Sequence, residues 1–227
     1  MNNLIKHLAF IVDGNGRWAT EKDLERSFGH IEAVKILPEI INITFKKNIK
    51  YITLYLFSTE NWNRSVKEIN VLMELYEKFI KENHYNFNIK IIGDITKLPL
   101  SIQQTILECK ETDLNKEKIL ILALSYSGKY DILETCKKLI NNNIKIHDIN
   151  ETQFSKYTSL GLLNIPDPDL IVRTSGEIRI SNFYLWNIAY SELFFIKKYW
   201  PDINEEDIDK IIYEFLNKRN RRFGKIK

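Results

Sequence analysis

The apolar run His7–Val12 ends abruptly on Asp13-Gly14-Asn15-Gly16-Arg17-Trp18, and this junction constrains the chain more than any other stretch. An apolar run that short, bounded by a turn signal, reads as a buried strand. A glycine loop directly after a strand is where α/β proteins place phosphate sites. Glycine lets the backbone approach a ligand, and the free N–H groups opening a helix attract anions. This loop also carries a carboxylate, Asp13, and a guanidinium, Arg17. A carboxylate beside a bound phosphate repels it unless a divalent cation lies between them, and Mg²⁺ fills that place in many phosphate sites. The loop therefore points to metal-assisted diphosphate chemistry rather than simple anion binding.

Two other phosphate loops are tested by the same residues. Gly14-x-Gly16-x-x-Ala19 fits the dinucleotide fingerprint, which also requires an acidic residue about 20 positions on to hold a ribose. The next strand ends near Phe57 and is followed by Ser58-Thr59-Glu60, much too late. A Walker loop is excluded because no glycine is followed by Lys-Ser or Lys-Thr.

Apolar runs alternate with amphipathic segments along all 227 residues, the pattern of a single α/β domain spanning 1–227 with a parallel sheet and helices on both faces. Strands are expected at His7–Val12, Tyr51–Phe57, Phe87–Ile92, Ile119–Tyr126, Asp169–Arg173 and around Leu193–Ile196. Helices are expected at His30–Lys46, Val66–Lys81, Leu100–Cys109, Lys129–Asn141, Glu151–Tyr157 and Glu205–Asn217. Ile69, Leu72, Met73, Tyr76, Phe79 and Ile80 recur at helical spacing, either as core or as one wall of a hydrophobic tunnel. A formal net charge of +3 is too small to argue for nucleic acid, and no Lys/Arg block forms a tail. Cys109 and Cys136 have no Cys or His at ligand spacing and read as buried free thiols in a reducing compartment. With no signal peptide and no stretch long enough to span a membrane, the expected location is cytoplasmic, with membrane contact limited to the surface.

Two further polar clusters fall at predicted strand ends. Ser58-Thr59-Glu60-Asn61-Trp62-Asn63-Arg64 follows the second strand, where open parallel sheets bind ligands, and a plain polar turn requires neither Trp62 nor Arg64. Arg173 to Phe183 follows the fifth strand. Its arginines Arg173 and Arg179, its hydroxyls and Gly176 make a second anion site, since guanidinium forks match phosphate oxygens; the alternative is an exposed loop with Glu177 neutralising an arginine. Glu192, a carboxylate among apolar neighbours, is either paired to an arginine or held near a metal.

These residues together resemble the cis-prenyltransferases. The resemblance is carried by His7 to Ala19, Arg26 to His30, Thr53 to Tyr55, Phe57 to Arg64, Ile92-Gly93-Asp94, Arg173 to Glu177, Arg179 to Phe183, Leu185-Trp186, Ala189 to Leu193 and Trp200-Pro201-Asp202, in order over nearly the whole chain. It implies a six-stranded parallel sheet flanked by helices with a hydrophobic tunnel, and a homodimer. It also implies repeated cis addition of isopentenyl diphosphate to an allylic diphosphate such as farnesyl diphosphate. The product would be a long-chain polyprenyl diphosphate, undecaprenyl diphosphate being the expectation, used as a lipid carrier for peptidoglycan.

By the same resemblance Asp13 would hold Mg²⁺ and act catalytically, with Glu192 contributing to the metal site. Gly14, Asn15, Gly16, Arg17, Arg26 and His30 would bind the allylic diphosphate, with Trp18 beside its chain. Ser58, Thr59, Glu60, Trp62 and Arg64 would lie near the reacting carbons, with Asn61 placed for the proton removed after condensation. An amide is no real base, so a relay to a diphosphate oxygen is the better physical route. Arg173, Arg179, Ile180 and Ser181 would bind isopentenyl diphosphate, and Arg222-Phe223-Gly224 resembles a tail that reaches a partner's site.

The chain departs from the family pattern at Asp23, where glycine is usual, at Ala33, at Ser65, where proline is usual, and at Ser125–Lys129. Its segment from Glu68 to Asp94 looks several residues short, which makes a shorter product an alternative. A non-catalytic partner subunit of the same fold is the other alternative, although such subunits lose the first-motif Asp and loop contacts that are kept here.

Overall fold

The computed structural model describes residues 5–82, 86–109 and 117–218. Six strands form one all-parallel sheet: β1 (His7–Ile11), β2 (Tyr51–Ser58), β3 (Asn88–Ile92), β4 (Ile119–Tyr126), β5 (Leu170–Arg173) and β6 (Glu192–Phe195). Their spatial order is β3-β4-β2-β1-β5-β6. The chain starts in the middle of the sheet, lays β2 beside β1, takes β3 to the edge and fills the gap with β4, then crosses to the other side of β1 with β5. The order therefore reverses between β1 and β5, and open α/β sheets bind ligands beyond the carboxyl ends of strands at such a point.

Side chains alternate along each strand, so Leu8 and Phe10 of β1 join one core while Ala9 and Ile11 join the other. The first core is packed by α3 (Leu37–Lys46), α4 (Val66–Lys81), α5 (Leu100–Cys109) and α9 (Glu205–Lys218). The second is covered by α8 (Ser159–Leu162) and by the aromatic pair Phe183, which stacks on Tyr55, and Tyr184, which meets Tyr126 edge-on. The apolar stripe expected on α4 is core, with Leu72, Met73, Tyr76, Phe79 and Ile80 all buried. Among the described residues no helix is long and apolar enough to cross a membrane.

The single helix expected over His30–Lys46 is two, α2 (Arg26–Lys35) and α3, with Pro38 in the first turn of the second. Proline has no N–H for the preceding turn but suits a helix start, so the chain breaks there although the apolar spacing runs on. Asp23 stands at φ 58, the left-handed backbone that a glycine would favour, and an aspartate tolerates that region better than most residues. Ser65 supplies a proper cap for α4, its hydroxyl accepting the Glu68 amide at 3.2 Å. Cys136 is an exposed free thiol, contrary to the burial expected for it, because it lies on the outer face of α6 (Gly128–Asn141). The side chain of Cys109 and the Arg222-Phe223-Gly224 tail lie outside the described residues.

The pairing of β2 with β4 shifts register twice, skipping Leu56 on one strand and Ser125 on the other. Both skipped residues face the sheet's carboxyl edge, where bulges re-aim side chains. The Leu56 carbonyl accepts the Tyr76 hydroxyl at 2.8 Å, and the Ser125 hydroxyl accepts the Trp62 indole N–H at 3.0 Å.

A candidate anion cleft at the carboxyl edge

Where β1 runs out, Asp13 is fixed by one side chain on both sides of its backbone. The Thr174 hydroxyl accepts the Asp13 N–H at 2.9 Å and donates to the Asp13 carbonyl at 2.6 Å. Gly14 then turns the chain at φ 95 into α1 (Asn15–Thr20) and donates its own N–H to Asp13 Oδ1 at 2.7 Å. A Cβ on Gly14 would meet Tyr199 Cδ1 at 2.4 Å and Ser175 Cβ at 2.8 Å, so the turn is closed to any larger residue. Gly29 is as tightly held, since a Cβ there would fall 1.8 Å from the Asn15 carbonyl oxygen, which lets α2 cross directly over the loop.

Three carboxylates hold the cationic side chains of the cleft. Asp13 Oδ2 accepts Arg173 Nη2 at 2.8 Å, and Oδ1 lies 3.4 Å from Arg17 Nη2. Glu177 bridges the two arginine loops, taking Arg17 at 2.7 Å on one oxygen and Arg179 at 2.5 Å on the other. Glu68 accepts His30 Nε2 at 2.9 Å and Arg64 Nη1 at 3.0 Å on one oxygen, with Arg26 Nε 3.9 Å from the other. Burial pushes the Asp13 carboxyl upward, but the Arg173 hydrogen bond and charge together with the Gly14 amide outweigh it and hold the pKa below the ordinary value. Burial likewise raises Glu68, and His30, Arg64 and Arg26 bring it down further than burial lifts it. Asp13 and Glu68 are therefore anionic at neutral pH.

These groups surround an open cleft of about 480 Å³. Asp13, Gly14, Asn15, Gly16, Arg17, Arg26 and His30 line it from the first loop and α2; Ser58, Asn61 and Arg64 line it from the second cluster. Arg173, Arg179 and Ser181 close it from the third. The three clusters that lie far apart in sequence thus face one space, and it is rich in cationic donors. Behind it, Val12, Ala33, Val34, Leu37, Leu56, Leu72 and Tyr76 enclose an apolar crevice of only about 10 Å³, which shares Asn15, His30, Leu56 and Tyr76 with the cleft. That is room for about one water, so this crevice is packed shut in this structure.

Several expected site residues point elsewhere. The Trp18 indole donates to Asp202 Oδ1 at 2.7 Å under the Lys22 ammonium, on the outer side of α1. Trp62 packs edge-on against Phe57 and bonds Ser125, serving as a strut rather than a wall of the cleft. Thr59 bonds Glu60, and Glu60 holds Asn182 at 2.9 Å. Ile180 packs on the second core. Glu192 opens β6 opposite Leu170, whereas Asp13 follows the far end of β1, so the two carboxylates sit at opposite edges of the sheet within one chain. Asn61 lines the cleft but its Oδ1 is taken by the Ser58 N–H at 3.0 Å, which leaves its amide to act as a donor. Arg173 is buried, and its terminal nitrogens are committed to Asp13, the Arg179 carbonyl and the Ser181 hydroxyl. It orders the loop that carries Arg179.

Sequence reasoning missed Glu68, which gathers two guanidinium groups and an imidazole from two elements. Its signal was present: Ser65-x-x-Glu68 has the capping-box form, and Glu68 stands four residues after Arg64. Both patterns predict local bonding only and conceal the reach to His30.

Comparison with known proteins gives a single answer. The model of the prenyltransferase family described as undecaprenyl diphosphate synthase matches residues 11–224. The chain is 43% identical to the isoprenyl transferase of Fusobacterium nucleatum, over 99% of this chain and 98% of that one. It is 41% identical to the ditrans,polycis-undecaprenyl-diphosphate synthase ((2E,6E)-farnesyl-diphosphate specific) of Micrococcus luteus, over 96% and 91%. Among solved structures, lavandulyl diphosphate synthase from Lavandula x intermedia, in complex with dimethylallyl diphosphate, superposes with a TM-score of 0.93 at 31% identity, covering 99% of this chain and all of that one.

Proposed function

The chain belongs to the undecaprenyl diphosphate synthase family of cis-prenyltransferases, and from that premise we propose that the cleft binds farnesyl diphosphate and extends it with isopentenyl diphosphate, in a Mg²⁺-dependent reaction, to undecaprenyl diphosphate. The observation that carries this reading is the cleft itself. Guanidinium groups from three separate elements converge on one opening, and an apolar crevice adjoins it at Asn15, His30, Leu56 and Tyr76. A diphosphate head and a hydrocarbon tail are the ligand parts that such neighbours match.

In this reading Arg17, Arg26, His30 and the amides of Asn15–Arg17 hold the allylic diphosphate, while Arg179 and Ser181 hold isopentenyl diphosphate. Glu177 sits between the two heads and keeps Arg17 and Arg179 extended before either arrives. Asp13 fits a Mg²⁺ ion by its chemistry. It is an ionised oxygen donor at the mouth of a phosphate cleft, and Mg²⁺ binds through one or two carboxylates with substrate phosphates completing its shell. When bound, the ion supplies positive charge against the negative charge that develops on the departing diphosphate. The guanidinium groups of Arg17 and Arg26 act on the same charge. Asn61 donates its amide to a diphosphate oxygen, and that oxygen receives the proton lost after condensation. The apolar surface of Leu56 and Tyr76 keeps water from the electron-poor carbon. The protein would work as a cytoplasmic homodimer that touches the membrane surface to release product.

A shorter product is a second reading, favoured by the closed crevice, because each added isoprene unit must open space between α2 and α4. The deciding experiment incubates the protein with farnesyl diphosphate, labelled isopentenyl diphosphate and Mg²⁺ and resolves products by length. A ladder ending at undecaprenyl diphosphate supports the first reading, an earlier end supports the second, and no product with or without EDTA overturns both.

A further inference from the structure

His30 is about as buried as a core residue, at 5% exposure, yet only one of its ring nitrogens has a partner. Nε2 faces the Glu68 carboxylate at 2.9 Å. A carboxylate at neutral pH only accepts, so Nε2 carries the hydrogen. Nδ1 is buried with no hydrogen bond, and on a neutral ring it is a bare lone pair. Burial lowers the pKa of this histidine below its ordinary value, Arg64 and Arg26 push the same way, and Glu68 opposes them. The ring is therefore neutral in the open cleft. Asn15 Oδ1, which lines both cleft and crevice with His30, is a second buried acceptor without a partner.

A bare acceptor is the wrong polarity for an anion site. Phosphate oxygens accept hydrogen bonds, and a lone pair aimed at them repels. One proton on Nδ1 reverses this, because the imidazolium then keeps Nε2–H on Glu68 and presents Nδ1–H to the ligand. The charged groups around the ring are Glu68 in the first turn of α4, Arg64 just before that helix and Arg26 four residues back on α2, with Tyr76 and Asn15 neutral beside them. An added diphosphate brings the only large new charge, and an opposite charge at close range raises a pKa by about 1–3 units.

We propose that His30 and Glu68 form a proton-loading pair, in which His30 takes up one proton from solvent as a prenyl diphosphate enters the cleft. Glu68 is the positioning residue. It fixes the tautomer so that the incoming proton lands on Nδ1, and its charge stabilises the imidazolium. No covalent bond changes, and the buffer supplies the proton. The proposal rests on the reading of the cleft as a diphosphate site.

Calorimetric titration of the full chain with farnesyl diphosphate, without isopentenyl diphosphate and so without turnover, separates the two ideas. At about pH 8 the ligand is fully ionised on its own, so proton uptake reports on the protein. Across buffers of differing ionisation enthalpy the observed heat should indicate net proton uptake, up to one proton per site. In His30→Gln and in Glu68→Gln that uptake should fall near zero while farnesyl diphosphate still binds, more weakly. Binding by the unaltered protein without uptake overturns the pair and leaves the cleft reading intact. Absence of any binding heat overturns the cleft reading. Uptake that persists in His30→Gln assigns the proton elsewhere, and persistence in Glu68→Gln removes Glu68 from the pair. Imidazole ¹⁵N shifts of the free protein give a check independent of the variants. His30 should be neutral with hydrogen on Nε2, and hydrogen on Nδ1 or a ring already charged overturns the proposal.

Discussion

The two edges of the sheet treat their buried histidines in opposite ways. At the amino edge His7 is fully buried and completely bonded. Its Nδ1 donates to the Pro166 carbonyl at 2.7 Å, which leaves Nε2 to accept from the Thr53 hydroxyl at 2.8 Å, and Thr53 in turn accepts from Tyr184 at 3.1 Å. Asp169 closes the same edge by accepting the amides of Lys6 and His7. At the carboxyl edge His30 has one free nitrogen, Asn15 a free oxygen and Arg173 a free Nε, all of them buried. Burying polar atoms without partners costs about 1–3 kcal/mol each. His7 avoids that cost and ties the amino edge together; the carboxyl edge bears it beside the cleft.

The sharpest way to break this contrast is at Asp13. Asp13→Asn keeps the side-chain volume but removes the charge that faces the cleft and Arg173. Turnover should fall by about 10²–10³-fold, the scale of losing one main electrostatic contact in a transition state. Arg173 keeps its bonds to the Arg179 carbonyl and Ser181, so circular dichroism should show a folded protein. Asp13→Ala is the poorer probe, since it leaves a buried guanidinium beside a hole. An Asp13→Asn enzyme at near full speed would remove the carboxylate from the chemistry.

The matching test at the amino edge reads stability instead of rate. Burial lowers the His7 pKa from 6.5 to about 4, against the Pro166 bond and Asp169, which raise it. The unfolded chain therefore binds a proton that the folded chain refuses. Stability is complete above the unfolded value of 6.5 and is lost as pH falls toward 4, by about 3 kcal/mol in all. Urea midpoints measured across that window should follow this slope in the native protein and flatten in His7→Gln, with turnover at neutral pH changed by less than about twofold. A slope that survives the substitution would locate the acid-sensitive group elsewhere.

Much of this division is legible in the residue order, and the part that is not has a physical cause. The apolar runs of β1, β2 and β4 are bounded within a residue or two, because strands buried on both faces read as near-continuous apolar runs. The three site clusters are found because each follows a strand end, and the sheet brings strand ends together. Within a cluster, however, sequence neighbours point in different directions. Trp18 is one residue from Arg17 yet lies on the outer side of its short helix, and Trp62 is one residue from Asn61 yet turns inward to Ser125. The bulge that leaves the Ser125 hydroxyl for Trp62 is a register effect between two strands and leaves no mark in either. Glu68 illustrates the same limit, since its partner His30 is 38 residues away.

A smaller effect is expected at Arg179, which is half exposed and gripped by Glu177 alone. In Arg179→Ala the KM for isopentenyl diphosphate should rise about tenfold, the value of one charge-assisted phosphate contact, and that for the allylic substrate much less. Equal rises would mean that the two heads do not occupy separate halves of the cleft. Glu177→Gln complements it. Both KM values should move together there, because one carboxylate braces Arg17 and Arg179.

The smallest change is Tyr76→Phe, and it distinguishes a strut from a wall. Tyr76 is buried on α4 with its hydroxyl on the Leu56 carbonyl, the residue left without a partner on β4 by the bulge. Phenylalanine keeps the ring and loses the bond, so unfolding should be easier by about 1 kcal/mol with the product ladder unchanged. Tyr76→Ala removes the ring as well and opens the crevice shared with the cleft, which should lengthen the products or ease their later additions. If alanine also leaves the ladder unchanged, α4 does not border the growing chain. The closed crevice would then be ordinary core, as its neighbours Leu72 and Leu37 already are.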